Sequence, residues 1–465
     1  MNIREIILDI LLELEKTDGY VNVLLADVLD KYDYLSTQEK AFINRVTQGT
    51  IERRIQLDYV LNRISKMPVN KMKPLIRQLL RMSAYQLMFM DAVPDSAVCN
   101  EAVKLAKKRK FVSLQGYVNG VLRNLAAAIN DKRIVYPDAD NGPVAYLSVM
   151  YSMPEWLVEH FLKFYGRDDA EIILRAFLEQ KPVTLRLEEG LSGREQDSLI
   201  KSWEEKGVLV SRHPYLSYAV KVEKIDGIKH LNGYEEGLFT VQDVSSMLVV
   251  EAADIKPGQT VIDVCAAPGG KSLHAATKLG DTGKVLSFDL TEAKVERLEE
   301  NRRRMKKDNM VTAVRDARAA DEGLYGLADV VLADVPCSGL GVISKKQDIK
   351  YHVTPESIEE LTVLQKDILK NVANYVKLDG TLIYSTCTIS PLENEEMVEW
   401  FCDVFPFELE SIDAYLPKQL RGIENSSIGN SSNENSIIGN NGMVQLLPGI
   451  HDTDGFFFAK LRRIR

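Results

Sequence analysis

Apolar positions change their period along this chain, and the changes divide it into three parts. Over residues 1–140 they recur at helical spacing. Ile3, Ile6, Ile7, Ile10 and Leu11 mark one helix face, and Leu75, Leu79, Met82, Leu87 and Met88 mark another. Strand-like alternation is rare there, so the spacing predicts an all-α domain. The stretch 130–143 breaks the pattern with Asn, Asp, Pro and Gly and reads as a linker. A smaller α+β segment, 141–235, carries helical patterns near 156–165 and 195–206 and strand patterns at 183–187 and 208–211. From 236 to 465, short apolar runs at 261–264, 285–288, 311–314, 330–333 and 382–384 alternate with helical segments long enough for βαβ crossovers. That order predicts a doubly wound, mostly parallel α/β sheet, with a final strand at 456–461. The Asn/Ser/Gly tract at 424–442 holds an imperfect ten-residue repeat and lacks the apolar residues for a core. It is expected to be a flexible surface insertion.

Composition narrows the class. At 465 residues the chain exceeds what one hydrophobic core supports, and its 45% hydrophobic and 27% charged residues are those of a globular protein. No apolar run reaches the roughly 18 residues that span a bilayer. The N-terminus mixes Arg4, Glu5, Asp9 and Glu13 with apolar residues, as a helix does and a secretion signal does not. Five scattered cysteines fit a reducing cytoplasm, and without a CxxC or a ligand-spaced histidine pair no metal and no membrane partner are expected. The net charge of −9 is uneven. Residues 1–135 hold 21 Lys+Arg against 15 Asp+Glu, leaving −15 on the remainder, so the basic N-terminal part is compatible with RNA. Its densest run, Lys104, Lys107, Lys108, Arg109 and Lys110, is either a phosphate contact surface or a solvated helix end.

The candidate chemistry sits where apolar runs end, which in open α/β sheets is where ligands bind. The run 261–264 leads into Cys265-Ala266-Ala267-Pro268-Gly269-Gly270-Lys271, a glycine turn opening a helix whose free amides favour anionic groups. Asp289 follows the next strand, 19 residues beyond Gly270, where a carboxylate accepts from a ribose diol. Asp316, after the third strand, is a candidate for an adenine amino group. A dinucleotide enzyme needs GxGxxG for its pyrophosphate; Ala-Pro-Gly-Gly suits S-adenosylmethionine, which has ribose and adenine but no pyrophosphate.

Two thiols lie downstream, Cys337 after the run 330–333 and Cys387 after 382–384. Methylating carbon 5 of a pyrimidine uses such a pair. Carbon 5 becomes nucleophilic only when a thiolate adds at carbon 6, and a second thiol assists elimination afterwards. Asp334, three residues before Cys337, is placed to hydrogen-bond ring nitrogen 3 and the amino group of a cytosine. Residue types alone leave the order of the two cysteines open.

These motifs carry a resemblance. Asp334-Val-Pro-Cys-Ser-Gly, Ser385-Thr-Cys-Thr and Cys265-Ala-Ala-Pro-Gly-Gly-Lys271 resemble the RNA cytosine-5 methyltransferases. Gly237-Leu-Phe-Thr-Val-Gln-Asp243-Val-Ser-Ser246 and Asp454-Gly-Phe-Phe-Phe-Ala459 match flanking blocks of that group. Leu80-Arg-Met-Ser-Ala-Tyr-Gln-Leu87 and Tyr117-Val-Asn-Gly-Val-Leu-Arg-Asn124 are similar to a NusB-like RNA-binding domain. The pairing points to the RsmB (Sun/Fmu) family. It implies a Rossmann-like class I methyltransferase domain and methylation of one cytidine of 16S ribosomal RNA by a monomer with S-adenosylmethionine. It also implies that Cys387 is the nucleophile and Cys337 the residue that assists release. Transfer RNA as target, or an inert RNA-binding assembly factor, are the alternatives. Val335 replaces the family's usual alanine, and Arg186-Leu-Glu replaces Arg-x-Asn, which bears on an expected RNA contact. The run Arg302–Arg304 with Lys306 and Lys307 reads as a solvated helix face or a further RNA contact.

Overall fold

The structure, a computed structural model, describes residues 2–17, 19–32, 34–421 and 442–465. Apart from Gly442, the insertion expected at 424–442 lies outside the described residues. The chain forms two compact units, Met1–Leu178 with Ile343–His352, and Glu179–Val342 with Val353–Arg465.

The first unit is helical. Helix Pro74–Phe89 opens on proline, whose missing amide donor costs nothing in a first turn, and turns Ile76, Leu79, Leu80 and Met82 inward. They join Ile7 and Leu11 of helix Ile3–Thr17 and Leu57 and Leu61 of helix Arg54–Ile64 in one core, which also holds Cys99. Helix Glu155–Ala176, bent at Gly166, belongs to this unit, so the helical spacing near 156–165 lies with the helices and not with the strands that follow. The segment Ile343–His352 is built into the same unit by polar contacts. The Val21 amide donates to Asp348 at 2.6 Å, Lys350 Nζ to the Glu52 carbonyl at 2.8 Å, and the Tyr351 hydroxyl to the Ile51 carbonyl at 3.0 Å.

The second unit holds two sheets. The small one contains β1 (Val183–Leu187), β2 (Leu209–Arg212), β3 (Ala219–Glu223) and β4 (Phe239–Val241), in the antiparallel order β2-β3-β1-β4. Only β1 and β2 were expected. β4 is three residues long, too short to show a period, and exists because it pairs with β1.

The large sheet contains β5 (Thr260–Asp263), β6 (Lys284–Asp289), β7 (Met310–Val314), β8 (Ala328–Asp334), β9 (Val376–Thr386), β10 (Phe407–Leu409), β11 (Met443–Leu446) and β12 (Phe456–Arg463). Its order is β10-β12-β9-β8-β5-β6-β7, with β11 beside β12. Strands β5 to β9 pair in parallel, while β12 runs antiparallel to β9, β10 and β11. This is the doubly wound, mostly parallel sheet read from the sequence. Its strands are apolar throughout because both faces are covered: Val330 and Leu332 of β8 enter one core, Val331 and Ala333 the other. β5 has β6 on one side and β8 on the other, so the connections diverge and a crevice opens at the strands' carboxyl ends. Among the described residues no helix is long and apolar enough to cross a membrane.

Candidate active site

The turn after β5 runs into helix Gly270–Leu279. Gly269, its N-cap, has φ +113°, and a Cβ there would stand 2.8 Å from Leu298 Cδ1, so only glycine makes this turn without strain. A cavity of about 370 Å³ opens over the turn, lined by Cys265, Ala266, Ala267, Pro268, Gly270, Lys271 and Asp334. Asp289 is buried at the end of β6, where it accepts from the Ala267 amide at 3.0 Å and Lys294 Nζ at 2.9 Å. Asp316 lines a separate cavity of about 250 Å³ with Val264 and Phe288, its carboxylate held by Arg318 at 2.6 Å. Burial and nearby carboxylates push the Cys265 thiol far up, so it stays neutral in the turn.

Asp263 lines the first cavity and is fully buried; burial pushes its carboxyl up to about 7. Oδ2 accepts from Ser272 Oγ at 2.6 Å, but Oδ1 has no partner among the described residues. A cavity with an orphaned acid at its base, a carboxylate behind the turn and free helix amides suits a cationic amino acid joined to a nucleoside. The donor set thus fits S-adenosylmethionine.

The thiols meet at the next strand ends. β8 and β9 pair with Asp334 opposite Ser385, and Cys337 and Cys387 bring their sulfurs to 3.4 Å. Asp334 accepts from Lys271 Nζ at 2.7 Å and Ser385 Oγ at 2.8 Å, which ties the thiol loops to the cofactor turn. Both loops are braced from behind. The buried carboxylate of Glu393 accepts from Ser338 N at 2.8 Å, Ser338 Oγ at 2.5 Å and Gln365 Nε2 at 3.1 Å. Ser338 and Thr388 hydroxyls lie 2.7 Å apart, joining the residues that follow each cysteine. At Gly341 the amide donates to the Cys387 carbonyl at 3.0 Å, and a Cβ would collide with the Gly455 carbonyl at 2.0 Å. The bond to Cys387, burial and the charges of Cys387 and Glu393 together push the Cys337 thiol well up. It therefore stays protonated, as a donor toward the other sulfur.

The match to known proteins extends over the whole chain. A family model described as 16S rRNA methyltransferase RsmB/F matches residues 250–462, one for the NusB family matches 1–127, and a ferredoxin-like domain of RsmF/B-like methyltransferases matches 153–228. The Bacillus subtilis (strain 168) protein named "Probable ribosomal RNA small subunit methyltransferase B" is 36% identical over 465 residues, 99% of each chain. The ribosomal RNA small subunit methyltransferase B of Cronobacter sakazakii is 29% identical, covering 92% of this chain and 91% of that one. The crystal structure of PH0851 superposes on 99% of both chains with a TM-score of 0.78 at 25% identity. The chain belongs to the RsmB/F family of 16S rRNA methyltransferases.

Members of the RsmB/F family are S-adenosylmethionine-dependent rRNA cytosine-C5 methyltransferases, and the fold, cofactor and reaction expected from the motifs are those of this family. Sequence reasoning missed Glu393 and Gln365, which no motif of their own announces, gave no role to Thr388 of the Ser385–Thr388 motif, and missed the cavity residues Thr240 and Gln242, whose only signal was the block at 237–246, and Asn301, which had none. Arg186 is fully buried, donating through Nε to Gln242 at 2.8 Å, so it is an internal strut and not an RNA contact. Arg302 and Arg303 bond Glu299, Arg304 caps the Tyr234 and Phe239 carbonyls, and Lys307 pairs with Glu188. Arg303 and Lys306 are exposed, as a solvated face expects, whereas Arg304 and Lys307 tie β4 and the region after β1 to this helix end. In the N-terminal run, Lys104, Lys108 and Arg109 pair with Glu101, Glu5 and Asp9. Glu189, Glu251 and His274 converge as metal ligands do, but the Lys278 ammonium, 2.9 and 2.7 Å from the two carboxylates, already bridges them.

Proposed function

We propose that Cys387 attacks carbon 6 of a cytidine in 16S rRNA, that Cys337 assists its release, and that Asp334 holds the base. The approach of the two sulfurs to 3.4 Å beside Asp334 carries this reading. The S–H of Cys337 donates to the Cys387 sulfur and favours its thiolate, the attacking form. As the C6–S bond forms, Asp334 accepts a hydrogen bond from the exocyclic amino group of the cytosine and holds the ring in register. S-adenosylmethionine, held by the turn Cys265–Lys271 with Asp263, Asp289 and Asp316, supplies an electrophilic methyl group. Once carbon 5 bears it, water takes the proton there, the freed C–H pair forms the C5–C6 double bond, the C6–S bond breaks, and its electron pair returns to Cys387, whose sulfur again receives the Cys337 hydrogen bond. The Lys271 ammonium, 2.7 Å from Asp334, orients its carboxyl between the cofactor and the base.

We take the enzyme to act as a cytoplasmic monomer without a metal. Radiolabelled cofactor with unmodified 16S rRNA, and separately with transfer RNA, tests the substrate. Methylation of 16S rRNA at one cytidine, located by bisulfite sequencing, is expected; methylation of transfer RNA alone would overturn it.

A further inference from the structure

A cavity of about 290 Å³ lies wholly within the helical unit, near the low end of small-ligand pockets at roughly 300–1,000 Å³. Leu11, Leu14 and Ile51 form its apolar side, and Tyr351 and His352, from the segment that follows the Cys337 loop, form another. Three guanidiniums, Arg54, Arg77 and Arg81, line it against two carboxylates, Glu15 and Asp348. Most of these charges are engaged: Arg77 pairs with Glu15, Arg81 with Asp58 at 2.6 Å, and Asp348 accepts from the Val21 amide. Arg54 differs. It has no carboxylate partner among the described residues and lies over the Tyr351 ring, 3.6 Å from the centroid.

Gln78 supplies a second, independent sign of a ligand. Its side chain is 3% exposed, its Nε2 donates to Glu15 at 2.6 Å, and its Oε1 has no partner among the described residues. A buried acceptor left unpaired is costly, and a donor brought in by a ligand removes that cost.

We propose that this cavity receives one nucleotide of the RNA substrate, its base on the Arg54–Tyr351 stack and its exocyclic amino group donating to Gln78 Oε1. Guanidinium planes and aromatic rings are the platforms on which unpaired RNA bases stack. Arg54, without a carboxylate partner among the described residues, leaves the lining one cation to offer, which favours a phosphodiester over a neutral peptide. The inference rests on RNA being the substrate and adds a contact remote in sequence from the thiols. The amino group restricts the base to adenine, cytosine or guanine.

Full-length wild type, Gln78→Leu and Arg54→Gln are compared on an unmodified 16S rRNA transcript. The KM for RNA is expected to rise about tenfold in each variant, while the Kd for S-adenosylmethionine and the melting temperature of Gln78→Leu stay at wild-type values. A KM within about twofold of wild type in both variants overturns the proposal. Wild-type protein is also photo-cross-linked to a transcript carrying 6-thioguanosine, which guards against misfolded variants. Cross-links at Tyr351 or in 11–21 support the site, and cross-links confined to 179–342 and 353–465 overturn it. If wild type methylates no 16S rRNA, the assignment of substrate falls, and the cross-link pattern still judges the cavity.

Discussion

The cofactor turn and the thiol pair lie at neighbouring strand ends but are assembled differently. Cys265 to Lys271 is one contiguous stretch, shaped by Gly269 and completed by Asp289 one strand away. The thiol pair joins positions 50 residues apart, and its geometry depends on Glu393 and Gln365, from outside both strands, and on Thr388, which bonds across to Ser338. A local site tolerates change elsewhere, because its shape is written in its own backbone. A non-local site is only as precise as the buried polar struts behind it, and an unsatisfied group among those struts is expensive.

The largest expected effect falls on one side of that contrast. Cys387→Ala should lower kcat by about three orders of magnitude or more, as loss of a nucleophile does, while calorimetry shows S-adenosylmethionine binding unchanged. Cys337→Ala should retain attack but lose assisted release, leaving a protein–RNA adduct that survives denaturing electrophoresis. An adduct seen only with Cys387→Ala would reverse the two roles. Glu393→Gln keeps the shape of the strut but removes its charge, and should lower kcat by about 10- to 100-fold, the range of one to two hydrogen bonds in a buried network. Unchanged kcat in that variant would show that the loops hold their geometry without it.

The smallest effect is a slope on the cofactor side. The folded pKa of Asp263, about 7, lies above that of an ordinary carboxylate, so the native state holds the proton more tightly than the unfolded chain. Its contribution to stability is therefore greatest at low pH and falls as pH rises through about 7. Binding of a cationic amino acid favours the ionised acid, so cofactor affinity should rise over the same interval. Asp263→Asn should flatten both slopes, measured by calorimetry and thermal melting between about pH 6 and about pH 8; slopes identical to wild type would separate Asp263 from the cofactor.

How much of this was legible in the chain follows from the same physics. The apolar runs of β5, β6, β8 and β9 were visible because strands covered on both faces need uninterrupted apolar sequence. β4 and β10 were not, since each is three residues long and held by its partner strand; β3 and β11, no shorter than β5, also went unread. Charge misled most. A guanidinium reads as exposed from sequence, yet Arg186 is buried and Arg304 half-buried by neighbours that arrive from other elements.

By itself the sequence determined the helical and α/β parts and marked the glycine turn and the two thiols with Asp334 as candidates, because period and local turn chemistry act over a few residues. Only the tertiary structure decided that the sulfurs approach to 3.4 Å, that Glu393 braces them, and that Ile343–His352 folds with the helices. Those facts depend on which distant groups share a low-dielectric interior. Burial makes each such pairing strong, and no local pattern records it.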